Sequence, residues 1–464
     1  MLEGLEVSEV MLSNIINENP EFRIESEFYK KEYQILKYKL LNRPNKELLY
    51  FLEQPVQTGH TPSMQNQRFY DGNIKFVKTD NLRENYIKED FNHYLSELGN
   101  AEIKRTFLKE NDIITTIIGA TFDVIARSCI VRKELLPANI NQNIALIRVD
   151  KNKISPEFLN IYLNSYFGKK YLQYLSRQME QVNLNCREVE KVIVPILSIS
   201  FQNKIEEFVK SAHSKREQSQ TLYHQAEELL LETIGLKDFK PSEKGTNIKS
   251  FKESFLGTGR LDAEYYQPKY EDYTQLAKSY SGGFELLQMV CTLKDRNFTP
   301  EEMKEYQYVE LSNVGKSGNI TGCTIEMGND LPSRARRKIN TNDVIISSIE
   351  GSLDSCALVT AEYDNALCST GFYVISSTKI NSETLLVLFK SEVMQNILKQ
   401  GCSGTILTAI NKIEFSQIPI PLINLKIQQQ IAELIGESFR LRKESDRLLD
   451  EAKEMVEREI EKEN

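Results

Sequence analysis

The sequence predicts two α/β globules in tandem, each followed by a long helix, with the two helices pairing as an intramolecular coiled coil. Three observations carry this. First, Phe201, Ile205, Phe208, Ala212, Lys215, Ser219, Leu222, Ala226, Leu229 and Thr233 alternate at steps of four and three, the spacing of one helical seam. Second, the residues 226 positions later, Ile427, Ile431, Leu434, Ser438, Leu441, Ser445, Leu448, Ala452, Met455 and Glu459, repeat that seam in register. Third, five segments ahead of the helices recur in the same order, which marks duplication of whole structural units. The competing reading is a pair of unrelated amphipathic surface helices.

The expected boundaries are 1–198 for the first globule, 199–236 for its helix, 237–250 for a linker, 251–423 for the second globule and 424–464 for the last helix. The first twenty residues hold four glutamates and no base, and Val7, Val10, Leu12, Ile15 and Ile16 suggest an edge strand or short arm. Arg23-Ile24-Glu25-Ser26-Glu27-Phe28-Tyr29 opens a helix expected to run to about Leu40. Its pattern returns at Arg260-Leu261-Asp262-Ala263-Glu264-Tyr265-Tyr266. Short β-branched runs follow at Ile74–Val77 and Ile113–Ile118, with counterparts at Gln307–Leu311 and Val344–Ile349. Ser155-Pro156-Glu157 is a helix start, with serine as cap, proline in the first turn and glutamate favoured by the dipole. Its counterpart begins at Ser382. Val192–Ile196 and Ile418–Leu422 are short β exits into the long helices. Gly235 suits the left-handed position that ends the first one, and the polar, breaker-rich stretch from Lys237 to Lys249 reads as the linker. The offset between halves falls from 237 to 231 to 226, so the first globule carries the longer loops. Matching halves imply an internal pseudo-twofold. Sequence alone leaves parallel and antiparallel helix pairing open. Helices of about 35 residues would be about 50 Å long.

Composition bounds the function. At 464 residues, 40% hydrophobic and 27% charged, the chain can bury sizeable cores. It has no apolar run long enough to span a membrane, and its N-terminus is acidic where a secretory signal would be basic, so a cytoplasmic location and no membrane partner are expected. The seven cysteines form no CxxC pair and only four histidines are present, which predicts reduced thiols and no metal site. The net charge of -8 argues against nucleic acid at first sight. Locally the balance differs: residues 21–191 hold 26 Lys+Arg against 22 Asp+Glu, and residues 248–421 hold 17 against 21. Patches, and not the total, decide phosphate binding.

No Walker A, GxGxxG, GxSxG or HExxH string is present, and the ExK strings Glu102-Ile103-Lys104 and Glu302-Met303-Lys304 read as solvated turn or helix, so no catalytic residue is expected. What remains is polar and basic. Thr61, Ser63, Gln65, Asn66, Gln67 and Arg68 lie in one stretch rich in side chains that pair with base edges, amides with adenine and arginine with guanine. Arg334, Arg336, Arg337 and Lys338 place four cations in six residues, suited to phosphate. Lys78 and Arg127 in the first half and Arg296 in the second complete the candidate DNA-contact set. An isolated loop of this kind is more often merely solvated; two, in equivalent globules without catalytic groups, favour DNA.

In these features the chain resembles the specificity subunit of type I restriction-modification systems. The resemblance rests on the paired Arg23 and Arg260 openings, the Asn-Asp-apolar strands at Asn111 and Asn342, the Pro195 and Pro421 exits, and Gln202 and Gln428 just beyond them. It implies two target recognition domains that read a split DNA sequence, held apart by an antiparallel helix pair. It implies further that the helices dock two methyltransferase subunits, which hold S-adenosylmethionine, and that two restriction and motor subunits can join. This chain itself would carry no cofactor and no catalysis. Phe201, Ile205, Phe208, Leu222, Leu229, Ile427, Ile431, Leu434, Leu448 and Met455 are the expected seam and docking residues, and the glutamates from Glu454 to Glu463 suggest last turns that are frayed or face a partner. Another multisubunit modification system, or a protein-binding scaffold, are the alternatives.

Overall fold

The computed structural model describes residues 9–18, 23–24, 26–88, 91–178, 182–237, 239–404 and 408–462. The chain divides into two compact units: residues 1–214 with 444–464, and residues 215–443. Each unit therefore holds one globule and a stretch of both long helices, which span Ile199–Thr233 and Leu425–Glu461. Among the described residues no helix is long and apolar enough to cross a membrane.

In the first unit, strands 57–58, 144–147, 113–116 and 128–130 form an antiparallel sheet in that order. A second sheet sets strand Tyr70–Val77 parallel to Ala138–Ile140 and antiparallel to Tyr94–Leu95. The helices Pro156–Asn164 and Tyr166–Leu175 pack on the first sheet, and strand Asn45–Glu47 pairs with the exit strand Ile193–Pro195. The second unit repeats the plan. Its first sheet runs 291–293, 372–377, 344–347, 356–358, and its second contains the parallel pair Glu305–Val309 and Leu367–Ser369. Helices Ser382–Lys390 and Glu392–Gly401 and the strand pair 284–286 with 419–421 complete it.

The duplicated motifs have one structural task each. Arg23 donates to the carbonyls of Leu175 (2.9 Å) and Ser176 (2.8 Å), and Arg260 to those of Gln400 (3.4 Å) and Cys402 (2.8 Å). Both thus satisfy acceptors that a helix end leaves open. Each guanidinium also lies 4.4 Å from an aromatic ring centre, Phe28 or Tyr265. Asn111 and Asn342 sit at φ 72° and 70°, a conformation asparagine tolerates, and so turn the chain into a central strand. The aspartate after each is buried and accepts a backbone N–H three residues earlier. Gln202 accepts from Ser155 N (3.1 Å) and donates to Leu197 O; Gln428 accepts from Asn381 N (2.8 Å) and donates to Ile423 O. Ser165 and Ser391 break the two helix pairs in the same way, each ending one helix and capping the next.

The long helices pair within each unit. In the first, Ile205 and Val209 share a core with Ala452, Val456 and Ile460. In the second, Tyr223, Ala226 and Leu230 meet Ile431 and Ile435, and the Ser219 and Ser438 hydroxyls lie 3.0 Å apart. The start of one helix thus meets the end of the other, so they run antiparallel.

Several expectations are corrected. The 226-residue repeat holds, but in several layers the seam lies one residue later than expected, while Leu441 is buried where the heptad stepping places it. The fully buried positions are Val209, Tyr223 and Leu230, and Ile435 and Val456, in place of Phe208, Leu222, Leu229, Leu434 and Met455. Those five are half-buried, and Phe208, Leu229, Leu434 and Met455 pack against the globular cores. The last turns of the second helix are not frayed: Val456 and Ile460 are buried, the helix continues to Glu461, and Glu463 lies outside the described residues. In the N-terminal arm Leu12–Glu18 is a helix and not a strand, with Val7 outside the described residues. The segment after Arg23 forms a 3-10 turn at Ser26–Tyr29 before a helix at Lys31–Leu41, and Glu25 is likewise outside.

Candidate nucleic-acid interface

Two chain segments carry the candidate residues other than Lys78 and Arg127, and both segments occupy the same places in the two globules. The first is the loop between the short strand of the four-stranded sheet and the strand that enters the second sheet: residues 59–69 in one globule, 294–304 in the other. The second precedes the Asn-Asp turn: residues 103–107 and 334–338.

In the first globule, Thr61 donates to Gln142, Tyr70 OH donates to Pro62 O at 2.6 Å, and Ser96 Oγ donates to Arg68 O at 2.6 Å. Asn66 caps a short 3-10 turn by accepting from Arg68 N at 3.3 Å, so its amide oxygen is partly engaged. Between these fixed points Ser63, Gln65, Gln67 and Arg68 are exposed. Gly99 packs so closely on this loop that a Cβ would come within 2.1 Å of Phe69 O. The helix Glu97–Glu102 thereby ties the loop to the segment that follows, Lys104-Arg105. Lys78 is half-buried at the end of the adjoining strand, its ammonium 5.7 Å from the Phe76 ring centre. Burial lowers its pKa, with Asp80 opposing. His93 next to it is also lowered, first by burial and then by Lys78, with Asp71 opposing.

Arg127 is not brought to this loop by any contact among the described residues. Its Nε donates to Asp123 O at 2.8 Å, and burial followed by the neighbouring Arg83 lowers its pKa.

In the second globule the basic run is an edge strand, Ala335–Lys338, and not a loop. Ala335 and Ile339 are buried, the register shifts at a bulge between Ala335 and Arg337, and Arg336 and Arg337 are half-buried. Loop 294–304 lies along it: Phe298 N donates to Arg336 O (2.8 Å), Arg337 donates to Asn297 Oδ1 (2.9 Å) and to Asp295 O, and Lys338 sits 5.8 Å from the Phe298 ring centre. Arg336 Nε donates to Ser333 O at 3.1 Å. Arg296, Arg334 and Lys338 are exposed, while Arg337 is held in structural work. Asp295 pairs with Lys412, which lowers the carboxylate's pKa.

The structure therefore gathers Arg296, Arg334, Arg336, Arg337 and Lys338 on one edge, and Thr61 to Arg68 in one loop. It also adds cations that the sequence reading missed: Lys104 and Arg105, both exposed, at the place Ala335 and Arg336 hold in the other half. Counting 231 residues back from Arg336, the offset that relates Asn342 to Asn111, would have found them.

Residues 290–444 match the family model described as the type I restriction modification DNA specificity domain. The type I restriction enzyme EcoBI specificity subunit of Escherichia coli is 33% identical over 134 residues, 28% of this chain and 27% of that protein. The match thus spans about a quarter of that relative's length. The S subunit of a type I restriction-modification system from M. genitalium aligns over 91% of this chain and 96% of its own, at 10% identity and a TM-score of 0.40. The HsdS subunit of Thermoanaerobacter tengcongensis aligns over 88% and 95%, at 14% identity and a TM-score of 0.29. Both superpositions are weak.

Proposed function

We propose that this chain, in which residues 290–444 match the type I restriction modification DNA specificity domain, is a specificity subunit that reads a two-part DNA sequence with one globule per part. The observation that carries the proposal is the recurrence of one surface plan: in both globules the loop ahead of the second sheet and the segment ahead of the Asn-Asp turn expose polar and cationic side chains, Gln65, Gln67, Arg68, Lys104 and Arg105 in one, Arg296, Arg334 and Lys338 in the other. Arginine and lysine there would hold phosphates and set register, while Gln65, Gln67 and Arg296 would approach base edges. The antiparallel helices would fix the gap between half-sites and offer their outer faces to two methyltransferase subunits, with restriction and motor subunits joining them. In this reading S-adenosylmethionine and the methyl transfer belong to the methyltransferase, this chain is non-catalytic, and the complex works in the cytoplasm.

The test is selection of duplexes from a random pool by the full chain, alone and with its co-expressed methyltransferase subunit. The expected result is enrichment of two short elements at a fixed gap, with affinity falling steeply with salt, by about 0.9 log unit per log unit of salt for each phosphate held. Binding without sequence preference in both preparations would sink the proposal.

A further inference from the structure

We infer that Met64 and Met303, one in each globule, are apolar contacts to DNA bases, presented on rigid turns and directed at thymine methyl groups. The inference rests on the DNA reading above and goes beyond it by assigning a base chemistry to two residues.

The loops 59–69 and 294–304 each contain a four-residue turn. Asn66 N donates to Ser63 O at 3.1 Å, and Lys304 N donates to Glu301 O at 3.2 Å. The corner residues are Met64-Gln65 in one and Glu302-Met303 in the other. A tyrosine at the start of the next strand pins each turn: Tyr70 OH donates to Pro62 O at 2.6 Å, and Tyr306 OH accepts from Glu301 N at 3.1 Å. The second turn is braced again at Gly328, where a Cβ would come within 2.0 Å of Glu301 O.

On these fixed corners stand large apolar side chains in water, Met64 52% and Met303 81% exposed. One exposed methionine is unremarkable on a protein surface. Two, each on a pinned turn in the same loop of a duplicated unit, coincide with the surface that carries the candidate base-reading groups. Along the chain Met64 is followed by Gln65, Gln67 and Arg68, groups suited to base edges and phosphate, while Met303 stands between Glu302 and Lys304, whose ammonium lies 3.8 Å from Glu301, in the loop that Arg296 opens. The apolar group that B-DNA presents in its major groove is the C5-methyl of thymine. Methionine, unbranched and polarizable, can follow such a small target without a preformed pocket. The pinned turn lowers the ordering cost of that contact.

The experiment uses the full chain and the duplex it selects. Met64→Ala and Met303→Ala are measured against that duplex at several salt concentrations, and each thymine is replaced in turn by deoxyuridine, which removes only the methyl. Each variant is expected to bind roughly fivefold more weakly, as loss of one or two buried methyl-sized groups implies, with an unchanged salt slope because no phosphate contact is lost. At one thymine per half-site, deoxyuridine should weaken the wild type by a similar factor and the matching variant no further. Wild-type affinity in both variants would overturn the inference, as would additive effects of alanine and deoxyuridine at every thymine. Circular dichroism checks that the exposed substitutions leave the fold intact. If the wild type selects no sequence at all, the DNA reading itself fails, which is a separate result.

Discussion

In the loop between equivalent strands the first globule exposes Gln65, Gln67 and one arginine, Arg68, where the second exposes Arg296; ahead of the Asn-Asp turn the first exposes Lys104 and Arg105 and the second Arg334 and Lys338. Beneath these surfaces the two globules differ far less: Arg23 and Arg260, Asn111 and Asn342, Gln202 and Gln428, and Ser165 and Ser391 make the same hydrogen bonds. The contrast separates two kinds of residue that look alike in sequence. A repeated polar residue here closes a helix end or turns the chain, and the residues free to differ are the exposed ones on the candidate interface. The motifs that carry the family resemblance are therefore framework, and the reading surface is where resemblance stops.

The framework itself is not perfectly equal, and its largest asymmetry is a buried charge. Asp112 meets Arg148 through two hydrogen bonds of 2.7 and 2.6 Å, with side chains 2% and 10% exposed. Its counterpart Asp343 meets Lys294 at 2.7 Å, and that lysine is 36% exposed. Arg148→Met should cost about 3–5 kcal/mol, because it strands a carboxylate that water cannot reach. Lys294→Met should cost less than half of that, since solvent can approach Asp343 where the lysine was. Amide exchange in strands 113–116 and 344–347 reads each globule separately, and equal losses of protection would break the comparison.

The surface contrast predicts a smaller and different effect. Removing Arg334, Arg336 and Lys338 together should flatten the salt dependence of DNA binding by up to about 3 units, and removing Lys104 and Arg105 by up to about 2, at about 0.9 unit per phosphate contact. Affinity titrations at four or five salt concentrations decide it. An unchanged slope in the second pair would mean that Lys104 and Arg105 do not share the role of their counterparts.

Much of the architecture was legible in the sequence because duplication supplies its own alignment: an element seen weakly once is seen again at a known offset. The seam shows where that fails. Phe208 adjoins Val209, Leu222 adjoins Tyr223, and Leu229 adjoins Leu230, so two registers are equally apolar and heptad stepping cannot choose between them. Packing chose, because one residue of most such pairs faces the other helix and its neighbour faces a globular core. The same local blindness made Ser333–Lys338 read as a loop. Only the burial of Ala335 and Ile339 on either side of a bulge shows it to be a strand edge. The interface was legible as composition and not as geometry. Arg337 looked like its neighbours until Asp295 and Asn297 were seen to hold it, and Lys104 and Arg105 were hidden because two cations are too few to stand out.

The smallest expected effect lies in the helix seam, where one polar layer is complete and its repeat is not. Ser219 and Ser438 are both fully buried, and Ser438 Oγ donates to Ser219 O at 2.7 Å while its partner hydroxyl lies 3.0 Å away. By the 226-residue repeat, Ser445 stands where Ser219 stands, and Ala212 stands where Ser438 does. Ser445 is buried and its hydroxyl has no hydrogen-bond partner among the described residues. A buried hydroxyl without a partner is unfavourable by about 1–3 kcal/mol, whereas a typical satisfied one contributes about 1 kcal/mol. Ser438→Ala should therefore destabilise the helix pair by about 1 kcal/mol, and Ser445→Ala should stabilise it by up to about the same amount. Ala212→Ser should supply the missing partner and make a following Ser445→Ala unfavourable. Thermal and denaturant midpoints of the full chain measure the signs. If both serine-to-alanine changes shift the midpoint in the same direction, the two layers are not related as the repeat requires.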